Sequence, residues 1–308
     1  MFLPTLAHAE SLFLEGPCGR IGVYLGAAGA GAAKRATGAE GAAAPPVPLV
    51  LLHSVNAAAS VAEVRPVFEQ RCAHGPVVAF DLPGFGRSER SARAYTPRLM
   101  TDALHEVVAW TRARFGTPQV DALALSLSCE FLARAAVERP GDYHRLALAS
   151  PTGFNGTRRR RGAPGSTLGL PRLHRVLAAP VLAGPLFRQL TRPAVVRYFL
   201  RRTFGTRQID EQLWRDAVLT AREPGAEHAP LHFLSAGLFS ADVSDVYERL
   251  AQPVWMSHGV RGDFTDYRGR STVEGRANWR FSVFPTGAIP WFEQPQAFCA
   301  ELEAFLSA

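Results

Sequence analysis

From residue 48 onward, short apolar runs alternate with segments of helical period. Pro48-Leu-Val-Leu-Leu-His53 is a run suited to a strand covered on both faces, and Val61 to Arg71 has helical spacing. Val77 to Leu82 is a second apolar strand, running into Pro83-Gly-Phe-Gly86. Thr101 to Phe115 is amphipathic, with Leu104, Val107, Val108 and Thr111 on one side. Val120 to Leu125 predicts a third strand, Leu127 to Glu138 a helix stopped by Pro140, and Leu146 to Ala149 a fourth strand. Strands alternating with helices imply right-handed crossovers and a parallel sheet. Upstream, Ser11 to Leu25 alternates weakly and breaks at Gly16-Pro17, which predicts two short strands.

From Asn155 to about Phe239 the strand signal disappears, and four helical stretches follow around Arg172, Val195, Leu213 and Phe233. The earlier rhythm returns with Val243–Leu250 (helix), Val254–His258 (strand), Trp279–Phe284 (strand) and Pro295–Leu306 (helix). An all-helical insertion is therefore expected after the sixth strand. The predicted division is a core made of residues 1–154 and 241–308, a helical cap over 155–240, and a flexible Ala/Gly-rich surface loop at 26–48. That loop has few large side chains and cannot bury enough surface to offset its ordering entropy.

Composition narrows the class. With 308 residues, 47% of them hydrophobic and 20% charged, the chain is neither a disordered tail, nor a collagen, nor a coiled coil. Cys18, Cys72, Cys129 and Cys299 are scattered with no C-x-x-C pair, so neither a zinc site nor a redox motif is expected. The first residues, M-F-L-P-T-L-A-H-A-E, lack a basic n-region and a long apolar core. Val176 to Phe187, the longest nearly uncharged apolar stretch of the middle region, is too short to span a bilayer and contains Pro180 and Pro185. The expectation is a cytoplasmic protein with no transmembrane segment, no metal and no organic cofactor.

The formal charge is +7, with Lys34 the only lysine. It is unevenly spread: Asn155 to Ser235 holds 14 arginines against 5 acids, whereas the remainder is slightly acidic. A solvated helical face accounts for such a run. So does a surface that attracts anionic small molecules or makes peripheral contact with anionic lipid. Nucleic acid is not expected, because the arginines are not interleaved with stacking aromatics and no nucleic-acid motif is present.

The motif that changes the picture is Asp81-L-P-G-F-G-R-Ser88, placed directly after a predicted strand. A second string, Ala124-L-Ser126-L-Ser128, lies where a strand ends and a helix begins. With the helical insertion, these resemble an α/β-hydrolase with a helical cap, over about Pro48 to the C-terminus. The resemblance implies a three-layer α/β sandwich with a mostly parallel sheet. Its nucleophile motif G-x-S-x-G sits on a sharp turn; here both glycines are replaced by small residues, and Ser126 takes the nucleophile's position. Ser128 is the competing helix-cap serine. The oxyanion donors implied are the backbone N–H groups of Leu127 and of Val55, in a loop that reads His53-Ser54-Val55-Asn56 instead of the usual H-G-x-G. The triad acid falls on Asp263, at the end of Pro253-V-W-M-S-H-G-V-R-G-Asp263, with Asp266 as the fallback. Ligands of such sheets bind outside the strands' carboxyl ends, which makes Phe187, Tyr198, Phe199, Trp214, Phe233 and Phe239 candidate pocket residues.

The base is missing. The order in this fold is serine, acid, histidine, yet none of the nine histidines follows Asp263. Phe284-P-T-G-A-I-P-W-F-E-Q-Pro295 resembles the usual G-H-x-P-x-F-E-x-P stretch, with Ala288 where the base should stand. General-base assistance is worth roughly 10²–10⁴-fold. Removing one member of a triad that acts as a unit can cost about 10⁶. Three explanations stay open. His53 or His258, both ending predicted strands, or the cap pair His228 and His232, substitutes; the fold serves as a catalytically silent ligand-binding protein; or Ala288 marks an inactivated variant of an active hydrolase. The expected function is a serine hydrolase acting on an ester or acyl small molecule with an incomplete triad, the silent binder being the alternative.

Overall fold

A computed structural model describes residues 6–7, 9–26 and 46–308. Most of the loop expected at 26–48 lies outside the described residues. The strands are β1 (Ala9–Gly16), β2 (Gly19–Gly26), β3 (Leu49–Leu52), β4 (Val77–Phe80), β5 (Val120–Leu125), β6 (Tyr143–Ala149), β7 (Val254–Gly259) and β8 (Trp279–Phe284). They form one sheet in the order β1-β2-β4-β3-β5-β6-β7-β8. The β1 and β2 strands pair antiparallel and β2 joins β4 antiparallel; every pairing from β4 to β8 is parallel.

The apolar runs that predicted the central strands are continuous because both faces are covered. Val50, Leu52, Val78, Phe80, Ala122, Ala124, Leu146 and Leu148 pack into one core. Leu49, Leu51, Val77, Ala79, Leu123, Leu125 and Ala147 pack into the other. This period of two is the pleat of the strands. The first core is closed by α2 (Pro97–Phe115), α3 (Ser128–Glu138) and α9 (Val243–Glu248), the second by α1 (Arg65–Arg71), α10 (Pro290–Glu293) and α11 (Pro295–Ser307). The result is a three-layer α/β sandwich.

Between β6 and α9 lie α4 (Pro171–Leu177), α5 (Pro180–Leu190), α6 (Pro193–Phe204), α7 (Glu211–Thr220) and α8 (His228–Leu234). The sequence pattern predicted four helical stretches here; α5 is the additional one, and it tolerates Pro185 within it. These helices sit on the loops that leave the carboxyl ends of the strands. A Cβ built at Gly84, after β4, would lie 2.4 Å from the Ala229 side chain of α8. Arg90 donates to the Thr220 carbonyl of α7 at 2.9 Å. No helix among the described residues is long and apolar enough to cross a membrane.

Candidate active site

The loop after β4 is built around a fully buried carboxylate. Asp81 accepts from the Tyr24 hydroxyl at 2.8 Å and from the Val61 and Arg87 amides at 2.9 Å. Gly86 must be glycine, since its φ is +49° and a Cβ there would fall 1.9 Å from the Asp81 carboxyl carbon. Ser88 closes the turn, donating to the Asp81 carbonyl at 2.5 Å and accepting from the Gly22 amide at 2.9 Å. The loop is thus a rigid support for what stands beside it.

Ser126 follows β5 directly and adopts φ +58°. That left-handed conformation is rare and costly for a residue with a Cβ and is typical of functional turns. Its amide donates to Ala149 at 2.9 Å, extending the β5–β6 ladder by one step before α3 begins. Among the described residues the Ser126 hydroxyl has no hydrogen-bond partner. Ser128 does not cap the helix; it is buried and donates to the His53 carbonyl at 2.5 Å, which ties α3 to the loop after β3. Cys129 is no competing nucleophile, because complete burial raises its thiol pKa well above the ordinary value.

The β3–β5 register pairs Leu52 with Ala124, so the loop from His53 to Asn56 runs alongside Ser126 and Leu127. Neither the Val55 nor the Leu127 amide donates to a protein acceptor among the described residues. What holds this loop in the absence of glycines is Glu63. Its buried carboxylate accepts from the Ser54 amide at 2.8 Å and from the Asn56 side chain at 2.6 Å. Asn56 in turn accepts from the Ala58 amide at 2.8 Å. Trp291 donates to the Glu63 carbonyl at 2.7 Å, joining the loop to α10. Sequence reading missed Glu63 and the Asp81 carboxylate network, since a carboxylate that will be buried looks in sequence like any surface acid.

Ala288, the position to which the resemblance assigned the base, carries a buried methyl group. The Ala288 carbonyl accepts from the Ser150 hydroxyl at 2.7 Å, and its amide donates to Thr203 at 2.9 Å. Ser150 directly follows Ala149, the residue that accepts the Ser126 amide. Position 288 therefore stands one strand across from Ser126 on the sheet's carboxyl edge.

The other candidates are placed differently. Asp263 lies on the surface, where both carboxylate oxygens bind the Arg202 guanidinium, the Nη2–Oδ1 contact being 2.6 Å. Its amide donates to the Arg202 carbonyl at 3.1 Å. Asp266 accepts from the Gly156 amide at 2.9 Å and is forked by Arg268, whose hydrogen bonds hold its carboxyl well below the usual range. His53 is not placed as a substitute base. It is fully buried, its Nδ1 lies 2.6 Å from the Ser54 carbonyl, and its Nε2 accepts the Leu82 amide at 3.0 Å. Both ring nitrogens are spent on structure. His258 likewise binds the Gly259 carbonyl at 2.9 Å and stacks on Tyr267 at 4.0 Å; burial lowers its pKa. His232 stacks on His174 of α4 at 3.8 Å, and burial, with the neighbouring His174, pushes its pKa down to about 4.

A cavity of about 470 Å³ opens among the helices of the insertion, lined by Phe187, Arg188, Arg192, Ala221, Arg222 and Glu227 among others. Phe187, Ala221 and Ala226 pack against Ala57 and Ala58, so its inner wall adjoins the loop that carries Val55. Of the six candidate pocket aromatics, Phe187 lines this cavity, whereas Tyr198 and Phe199 face outward and are about half exposed. Trp214 is held by Arg197 over its ring at 4.2 Å, and Phe233 stacks on Phe239 at 5.4 Å. No group of three or more His, Cys, Asp or Glu among the described residues could hold a metal ion.

Comparison with known proteins agrees with this architecture. The chain superimposes on an esterase from Exiguobacterium antarcticum with a TM-score of 0.71 at 15% identity, covering 97% of this chain and 100% of that one. For a 2-hydroxy-6-oxo-6-phenylhexa-2,4-dienoate hydrolase from Rhodococcus sp. strain RHA1 the score is 0.69 at 18% identity, covering 97% and 100%. At these identities the likeness establishes the fold alone. A pig protein named 1-acylglycerol-3-phosphate O-acyltransferase ABHD5 is 33% identical over 115 residues, 35% of this chain and 30% of that relative's length. The family model described as the alpha/beta hydrolase family matches residues 49–301, and the chain belongs to that family.

Proposed function

We propose that the protein is a serine-hydrolase-like member of its family that receives an ester or other acyl small molecule at Ser126, with turnover held low by the missing base at Ala288. The observation that carries this reading is Ser126 itself: a strained serine at the strand-to-helix turn, its hydroxyl unengaged, flanked by two free amides. In this reading the ligand's carbonyl carbon lies over the Ser126 Oγ, and its oxygen takes the Leu127 and Val55 N–H groups, which stabilise the charge that develops on attack. No side chain among the described residues accepts the Ser126 proton, so in this reading water takes it, and a serine without a base is a weak nucleophile. The arginines beside the cavity favour a ligand with an acidic group. The activity for which the pig relative is named, acyl transfer to a 1-acylglycerol-3-phosphate, is acyl chemistry on an anionic substrate of that kind.

A second reading, ligand binding without turnover, is favoured by the Arg202–Asp263 fork, which occupies the carboxylate a triad would use. One comparison separates the two. A fluorophosphonate probe should label the native chain at Ser126, slowly because the base is missing, and leave Ser126→Ala unlabelled. Introducing the base, Ala288→His together with Arg202→Leu to release Asp263, should raise p-nitrophenyl ester turnover by roughly 10²–10⁴-fold. Absence of both labelling and rescue in folded protein would leave only the binding role.

A further inference from the structure

The helical insertion carries a surface that the chemistry at Ser126 does not use. The α4 helix buries no residue at all, and α5 buries only Phe187. Successive side chains of a helix turn by about 100°, so the inward residues fix which ones face out. On α4 the inward residue is His174, stacked on His232; Arg172 and Val176 then point the opposite way, flanked by Leu173 and Arg175. On α5, opposite Phe187, stand Leu182 and Pro185, with Val181 beside them. Val176 is 57% exposed, Leu182 48% and Val181 84%. Apolar side chains this exposed on consecutive helices lose the benefit of burial and mark a contact face.

The two helices themselves carry charge of one sign, while the acids nearest α5, Glu223 and Glu227, line the cavity on its inward, Phe187 side. No acidic residue occurs between Asp142 and Asp210. Neither Arg172 nor Arg175 has an ion-pair partner among the described residues, whereas Arg197 and Arg202, further along, are paired. A second copy of the chain is a poor occupant, because a two-fold contact would bring α4 arginines against one another. A short apolar face edged by unpaired guanidiniums matches a bilayer interface with anionic headgroups, where the apolar tips enter the acyl boundary and the cations meet phosphate.

We propose that α4 and α5 form a docking face for an anionic phospholipid membrane, with Val176, Val181 and Leu182 as the inserting residues and Arg172 and Arg175 as the headgroup contacts. The proposal is independent of whether Ser126 turns over any substrate.

The test is flotation of the full chain with vesicles of phosphatidylcholine alone and of phosphatidylcholine with phosphatidylglycerol in a two-to-one ratio. Binding should be confined to the anionic vesicles and should weaken as salt rises. Each of Arg172→Gln and Arg175→Gln should lower the affinity roughly fivefold. Val181→Asp should lower it further, and since all three residues are exposed, thermal melts should be unchanged. Equal binding to neutral vesicles, no loss in the variants, or a salt-resistant dimer that Val181→Asp dissociates would overturn the proposal.

Discussion

At the scale of single residues, the candidate site depends on carboxylates that do no chemistry. Glu63 supplies the acceptors that a polar loop without glycines would otherwise leave unmet. Glu63→Ala strands the Ser54 amide and the Asn56 side chain, and should cost about 1–3 kcal/mol, read as a lowered urea midpoint with unchanged slope. The same variant should reduce fluorophosphonate labelling, because Val55 would no longer be held beside Ser126. The strand-to-helix turn at 126 was legible in sequence because an apolar strand runs straight into a helix there. The partners of Glu63, Asp81 and Asp263 were not, because burial and a contact such as Arg202–Asp263, 61 residues apart, are properties of the folded chain. His53 shows the converse. Its place at the end of a strand suggested a base, and only the geometry shows both nitrogens engaged.

At the scale of elements, the central strands were readable because burial on both faces leaves almost no polar position in them, Asp121 being the one in β3 to β5. The α5 helix was not, because Pro185 interrupts the pattern used to recognise helices, and because its outward side is apolar instead of polar. The α4–α8 pair carries its own prediction. His232 has a folded pKa of about 4, depressed by burial and by His174, against an unperturbed histidine near 6.5. Between those values the unfolded chain binds more protons than the folded one, so stability falls as pH falls through that window. The packing of α4 on α8 should therefore loosen from about pH 6.5 toward pH 4. Hydrogen exchange should show this as selective loss of protection in those two helices, and His232→Phe should remove the acid-sensitive part.

Across the whole molecule, the insertion shares both apolar cores of the sheet, through Ala229 and Leu238 on one face and Phe204 and Leu213 on the other, and is joined to it besides by seams of polar contacts. The largest is at the insertion's return, where Asp242 binds Arg134 of α3 and accepts the Gly165 amide at 2.8 Å. Nearby, the buried Glu130 accepts the Ser240 amide at 2.8 Å and the Thr152 hydroxyl at 2.6 Å. Both members of the Arg134–Asp242 pair are largely buried, so Arg134→Ala should cost about 3–5 kcal/mol, measured by denaturant unfolding. The carboxyl of Asp242 is held below its usual range by its hydrogen bonds to Arg134 and Gly165, which outweigh burial. This pair's contribution is present above the unfolded aspartate pKa and is lost as pH falls through the folded one.

The last turn of α6 adds a mechanical consequence. Its Arg202 and Thr203 carbonyls receive the amides of Asp263 and Ala288, so the two loops that would present acid and base, already joined by the Val260 and Arg261 amides donating to the Thr286 carbonyl at 2.9 and 3.1 Å, are moored together to one helix end. The cavity wall begins on α5, the next helix back along the chain. A guest that levers these helices apart would drag both moorings together, making admission of the guest and alignment of the rim a single displacement.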